Sequence, residues 1–239
     1  MAATKTTAPP IPPLESGDRL TRAEFERRYE ATPGMKKAEL IEGVVYMHAA
    51  VRHEGHGREH MILAGCFAAY LVNTRGVDGS DNATIRLDLD NVPQPDLLLR
   101  LPESASGQSR VDADGYIDGP PELVAEIVAS SAAYDLHQKL NVYRRHGVRE
   151  YVVWRVLDEA IDWLILREDR FEPLSPDPDG VYKSEAFPGL WLDAPALLRG
   201  DQPQMLSVLN EGLASAEHAE LVERLKTAAN GAGDKPDGD

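Results

Sequence analysis

Apolar residues along this 239-residue chain fall in short blocks, and the spacing inside each block indicates the element it forms. Ala38-Glu39-Leu40-Ile41 and Val44-Val45-Tyr46-Met47 flank Glu42-Gly43, which predicts a hairpin with a tight turn. Before it, Thr21-Arg22-Ala23-Glu24 fits a capping box and is followed by Phe25, which predicts a short helix over about 21–30. From His56 to Asn73 the apolar positions recur at helical spacing, with Ile62, Leu63, Phe67, Tyr70 and Leu71 on one face. Three strands are predicted next, at about 83–88 (ATIRLD), 96–100 (DLLLR) and 122–128 (ELVAEIV). A polar, Gly-rich loop that includes GYIDGPP separates the last two.

A helix follows over 133–146, capped by Ser130-Ser131 and stopped by Gly147, and then a strand at 150–156 (EYVVWRV). AIDWLIL (160–166) and RFEPL (170–174) read as an antiparallel extension of the sheet, FPGLWLD (187–193) as a strand or packed loop, and 202–226 as a helical tail. No internal repeat is seen. The element order predicts an α/β (α+β) fold, a mixed sheet flanked by helices with an N-terminal hairpin. The expected organisation is a disordered arm (1–18), one domain (19–195), a C-terminal helical segment (196–226) and a disordered tail (227–239).

Composition narrows the function. A hydrophobic content of 42% supports a sizeable core. The formal charge of −15, from 40 acidic against 25 basic residues, argues against broad affinity for nucleic acid, though not against a local basic groove. Cys66 is the single cysteine, so neither an intrachain disulfide nor a cysteine-rich zinc site can form, and a reducing cytoplasmic setting is the default. The N-terminal MAATKTTAPPIPPLESG has no apolar core of a secretory signal, and no apolar run is long enough to span a membrane.

The chemistry concentrates on a few acids. Glu126 stands inside the apolar run Leu123–Val128, where a carboxylate costs several kcal/mol unless it is paired. Asp96 opens the preceding strand after Pro95, which suits a strand start. If the two strands are neighbours, the carboxylates converge, and with the Ile127 backbone carbonyl they suit a hard cation such as Mg²⁺. Asp135, Lys139 and Tyr143, spaced by four, line one face of the next helix. Lys139 there can orient water, stabilise a pentacovalent phosphate or balance the acids.

Each has a plainer reading. In these, Asp96 closes a turn, Glu126 serves a structural ion pair, Lys139 is a solvated helix lysine and Tyr143 a packed core edge. Glu39 is either a satellite of the metal site or an exposed hairpin acid. His53, His56 and His60 suggest zinc, and the His56/His60 pair, four apart, suits a helix, but no third ligand is in view. The densest basic cluster is Arg144-Arg145-His146 with Arg149, either a phosphate contact or a helix end that suits the dipole. Nucleotide-binding and hydrolase loop motifs such as GxGxxG and GxSxG are absent.

In order along the chain, Glu39-Leu40-Ile41-Glu42-Gly43, Pro95-Asp96, Glu126–Ser131, Asp135, Lys139, Tyr143 and Gly147–Tyr151 form a pattern. It resembles the family named "putative restriction endonuclease" within the PD-(D/E)XK nuclease superfamily, over roughly residues 20–195. The resemblance implies a restriction-endonuclease-like core, with Asp96 and Glu126 binding Mg²⁺ or Mn²⁺ and activated water attacking a phosphodiester, in DNA first of all. It also implies a lysine at position 128, where this chain has Val128; the family resembled commonly moves that lysine to the following helix, where Lys139 stands. Glu39 and Asp135 would contribute in second rank. Two alternatives stay open: an inactive nuclease-fold module for binding or assembly, and a metal-dependent hydrolase of a substrate other than nucleic acid. A homodimer would suit an enzyme that cuts two strands.

Overall fold

The computed structural model describes residues 10–32, 34–35, 37–47, 52–128 and 132–232, the side chains of 132–137 and 232 excepted. Ser130, Ser131 and the side chain of Asp135, expected respectively as helix caps and as a site acid, lie outside the described residues.

The predicted hairpin forms as β1 (Ala38–Ile41) and β2 (Val44–Met47), paired antiparallel about Glu42-Gly43. Helix α1 (Arg22–Glu30) buries Phe25 against it, and Leu14, Leu40, Val45 and Val92 complete this small core. The arm expected to be disordered through residue 18 is already held at Leu14, which is buried, and at Gly17, whose N–H donates to Val45 O at 2.8 Å. No capping box forms at α1. Thr21 makes no side-chain cap bond, and Glu24 turns instead to Arg27 and Arg28, at 2.7 and 2.6 Å. Two guanidiniums outcompete a backbone amide for the same carboxylate.

Helix α2 (Arg58–Asn73) begins two residues later than its apolar pattern suggests. His53–Gly57 is an irregular turn in which Gly55 has φ 88°, a left-handed conformation that suits glycine. Two of the three predicted strands, β5 (Leu97–Arg100) and β8 (Leu123–Val128), stand in the main sheet. The third does not. β4 is a two-residue strand (Ile85–Arg86), joined in a separate small sheet by β6 (Arg110–Val111) and β7 (Ile117–Asp118) from the segment expected to be a polar, Gly-rich loop.

The sheet edge is taken instead by β3 (Asp78–Asp81), whose sequence DGSD carries no strand pattern. Tertiary contacts place it there. A Cβ on Gly79 would meet Leu99 Cδ2 at 2.8 Å, and Arg100 holds Asp78 at 2.8 Å across the register pair.

After β8, helix α3 (Ala132–His146) crosses to β9 (Glu150–Arg155), which lies parallel to β8. β10 (Ala160–Arg167) and β11 (Arg170–Pro173) extend the sheet antiparallel, giving the order β11-β10-β9-β8-β5-β3. FPGLWLD contributes β13 (Trp191–Asp193), paired with β12 (Val181–Lys183). The C-terminal segment is three helices, α4 (Ala194–Arg199), α5 (Gln202–Leu213) and α6 (Ala216–Ala232), the last running past the expected end at about 226.

Strand alternation assigns the two faces of the sheet. Leu97, Leu99, Leu123, Ala125, Ile127, Val152 and Trp154 point to the large core with α2 and the C-terminal helices, which supply Met205, Leu209, Leu221 and Leu225. Leu98, Val124 and Val153 point to the other face, against Tyr143 of α3. Cys66 is fully buried in the large core, where loss of water pushes its thiol up to about 12 and leaves it unreactive.

The sequence pattern did not single out Glu150, which is almost fully buried. Its Oε1 accepts the N–H groups of Glu185 and Ala186 at 2.8 and 2.7 Å; its Oε2 accepts Trp163 Nε1–H and Ser184 Oγ–H at 2.9 and 2.8 Å. It ties β9 and β10 to the segment between β12 and β13. Glu150→Ala leaves these donors unpaired and is expected to lower the urea-unfolding free energy by about 3 kcal/mol or more. A loss below about 1 kcal/mol would show that water replaces the carboxylate.

Candidate active site

On the α3 side of the sheet, β8 carries Glu126 at the same parity as Val124, and α3 brings Lys139 and Tyr143 over it from successive turns. Asp96 immediately precedes β5, which pairs antiparallel with β8, so its carboxylate reaches the C-terminal end of β8. Lys37 immediately precedes β1 and shares the strand face of Glu39, two residues on. The irregular turn before α2 contributes His56.

Lys139 Nζ lies 2.9 Å from Glu126 Oε1 and 2.9 Å from Glu39 Oε1. Tyr143 OH donates to the same Glu126 oxygen at 3.1 Å, and Gln94 N–H donates to Glu39 Oε1 at 2.6 Å. Asp96 Oδ2 accepts the Ile127 N–H at 2.8 Å and lies 3.2 Å from His56 Nε2, while Oδ1 accepts from Lys37 Nζ at 3.0 Å. Lys37 also donates to Asn82 Oδ1 at 3.2 Å. His60 Nε2 contacts Asp96 O at 3.2 Å and Asp81 Oδ1 at 3.0 Å. Three carboxylates, Glu39, Asp96 and Glu126, therefore meet Lys37, Lys139 and His56.

Burial and charge pull in opposite directions here. Burial raises the pKa of Glu126, and Asp96 and Glu39 add to this while Lys139 pulls it back. For Lys139, burial alone would favour the neutral amine; Glu126 and Glu39 overcome it and hold the ammonium above its ordinary range. Asp96 is also desolvated, but the His56 hydrogen bond, the Lys37 charge and the Ile127 amide hold it well below the usual carboxylate range. His56 is raised by its bond to Asp96, against partial burial, and its Nδ1 is buried without a hydrogen-bond partner.

The structure thus brings together Asp96, Glu126, Lys139, Tyr143 and Glu39. Glu39 is not an exposed hairpin acid: it is 1% exposed, because α3 closes over β1. Lys139, likewise, is buried rather than solvated. Ile127 joins the cluster through its N–H. Of the three histidines, His56 and His60 stack at 5.9 Å and both face Asp96. Val128 ends β8 half-buried among apolar neighbours.

The basic cluster in the last turn of α3 is largely engaged. Arg145 holds Glu42 at 2.8 Å, His146 Nε2 holds Asp88 at 2.8 Å, and Arg144 donates to Asp169 O at 2.8 Å. Sequence reading missed Lys37, although its spacing from Glu39 placed both on one strand face; it also missed the part His56 plays, which depends on a non-helical turn. A hollow of about 710 Å³ along Leu140, Arg144 and Phe171 includes neither Asp96 nor Glu126 in its lining.

A hard divalent cation fits this donor set in kind, since carboxylate oxygens are its preferred ligands. As assembled, however, the chain's own ammonium groups hold the charge. Among the described residues, no group of three or more His, Cys, Asp or Glu side chains is arranged to hold a metal ion. Nor is any helix among them long and apolar enough to cross a membrane.

A mixed sheet, with acids gathered where β5 meets β8 beneath a crossover helix, is a restriction-endonuclease-like core of the PD-(D/E)XK kind. It is similar to the crystal structure described as "a putative nuclease belonging to DUF820" from Anabaena variabilis ATCC 29413, with a TM-score of 0.60 at 14% identity, over 75% of this chain and 98% of that one. Residues 22–195 match the family Uma2, described as "Putative restriction endonuclease", and the chain belongs to that family. No curated protein matches it significantly.

Lys139→Met leaves Glu39 and Glu126 buried without their cation and is expected to cost about 3–5 kcal/mol at neutral pH. Part of that loss should return as the pH falls and the acids protonate, or when Glu126→Gln is added; urea melts of the single and double variants measure both.

His56 and Asp96 give opposite pH signs. The raised His56 contributes stability below its unfolded pKa of about 6.5, lost as pH rises through its folded value; the lowered Asp96 contributes above about 3.9, lost as pH falls through its own. Asp96→Asn should move the His56 titration, followed by NMR, downward, and an unmoved titration would refute the pairing.

Proposed function

We propose that this protein is a divalent-metal-dependent endonuclease that hydrolyses phosphodiester bonds in DNA. The observation that carries the reading is the convergence of Asp96 and Glu126: Asp96 Oδ2 accepts the N–H of Ile127, the residue directly after Glu126, and Lys139 stands 2.9 Å from Glu126. Asp96 and Glu126 would hold Mg²⁺ or Mn²⁺, with the Ile127 carbonyl as a further oxygen, once the ammonium groups now beside the acids yield or make room. When bound, the cation supplies an activated water and charge for the departing oxygen. Lys139 and Glu39 fix the Glu126 carboxylate, Tyr143 donates to it, and Asp135 is a second-rank acid on the same helix. A homodimer would bring two such sites to two strands.

A second reading is favoured by a specific observation. Lys139 closes Glu39 and Glu126 into an internal ion-pair network, the arrangement expected of a nuclease fold kept as a binding or assembly module. The formal charge of −15 suits a third, a metal-dependent hydrolase whose substrate is not nucleic acid.

Plasmid and single-strand cleavage with Mg²⁺ and with Mn²⁺ separates these readings. Wild type should cleave, and Asp96→Asn and Glu126→Gln should each lose about 10²-fold or more while keeping their circular dichroism. Equal residual cleavage in wild type and both variants would leave the nuclease reading without support.

A further inference from the structure

We propose that Lys37, rather than Lys139, is the lysine that meets the substrate's phosphate. The inference rests on the nuclease reading above. Two lysines border the acid cluster, and their surroundings differ. The Lys139 side chain is 6% exposed, and its ammonium is engaged by Glu126 and Glu39. The space beside it, lined by Glu39, Ile41, Tyr46 and Gln138, is about 10 Å³, too small for more than one water. A phosphate brought there would need room that α3 and β1 have closed, beside two carboxylates that repel it. Lys139 is therefore a positioning residue: it sets the Glu126 oxygen and joins three elements.

Lys37 stands on the open side. Its side chain is 18% exposed, and it spends one donor on Asp96 Oδ1 and one on Asn82 Oδ1. An ammonium has three donors, so one remains for an incoming oxygen. The partly exposed His56 also holds Asp96, through Nε2, while its unpartnered Nδ1 is buried rather than open to this rim. His60 lies beside it on the Asp96 backbone carbonyl. Asp96 itself is buried, and Lys37, His56 and His60, all partly exposed, edge the surface above it on a chain that is otherwise strongly acidic. A phosphodiester oxygen at this rim would accept from Lys37 while its phosphorus faced the water held by the acids. The work of the lysine missing at Val128 then falls to the residue just before β1, not to α3.

The test compares wild type, Lys37→Ala, Lys37→Gln, Lys37→Arg and Lys139→Met. Each is followed by binding of a fluorescein-labelled DNA duplex without divalent cation as a function of salt, by plasmid cleavage with Mn²⁺, and by thermal melting. A lysine on a phosphate contributes about one unit to the salt slope of binding. Lys37→Ala and Lys37→Gln should reduce the slope by about that amount and cut cleavage about 10²-fold or more, with a smaller drop in melting than Lys139→Met, because Asp96 keeps its His56 and Ile127 partners. Lys37→Arg should retain the slope. Lys139→Met should melt lower and, assayed below its melting point, keep the wild-type slope. If the neutral Lys37 variants bind and cleave like wild type, or if Lys139→Met loses the slope while melting normally, the assignment is wrong and the nuclease reading survives. If wild type shows neither salt-dependent binding nor cleavage, the nuclease reading falls, and the assignment with it.

Discussion

The site depends on one ammonium group, Lys139 Nζ, held between Glu39 on the hairpin and Glu126 on the central strand. These contacts, each 2.9 Å, join β1, β8 and α3 at a single point. Burial pushes the Glu126 carboxyl up and the Lys139 charge pulls it back, since an unpaired buried carboxylate either costs several kcal/mol or takes up a proton. The same bond closes α3 over β1, and that closure leaves Asp96 as the acid whose partners, Lys37 and His56, remain partly open.

The strand segment PELVAEIV contains two solutions to one problem. Glu122 and Glu126 share a parity, and both are buried. Glu122 accepts backbone N–H groups, from Leu101 at 2.7 Å and Gln108 at 2.9 Å, and pins the loop after β5. Glu150 follows the same plan with its four neutral donors. Glu126, by contrast, meets an ammonium and a phenol. Carboxylates satisfied by amides are locked by the backbone and serve the fold. Those satisfied by side-chain cations sit in a charge network that a ligand of either sign can perturb, which separates the two kinds at equal burial.

Much of the site was legible because it rests on short-range regularities. Glu126 was conspicuous as an acid in an apolar run, Lys139 and Tyr143 through their spacing on one helix, and Asp96 through its place at a strand start after proline. Much of what escaped notice depends on groups far apart in the chain. Asp78–Asp81 has no strand propensity and is an edge strand because Leu98 and Leu99 pack against Gly79 and Arg100 reaches Asp78. The capping box at Thr21 failed because two arginines, equally local, competed for Glu24 more strongly than the helix N-terminus did. His56 was read with His60 as a metal pair at helical spacing, but Gly55 breaks the helix there and turns His56 onto Asp96.

The sequence by itself determined the order of the main elements, the mixed sheet and the acids that would gather, because periodicity and the cost of a buried charge act within a few residues. The tertiary structure decided which cation each acid receives. Lys139 could have been solvated or buried, and Lys37 drew no attention beside Glu39, until the hairpin, β8 and α3 closed on one another. Ion pairing depends on distance in space and on exclusion of water, and neither is written in the spacing along the chain.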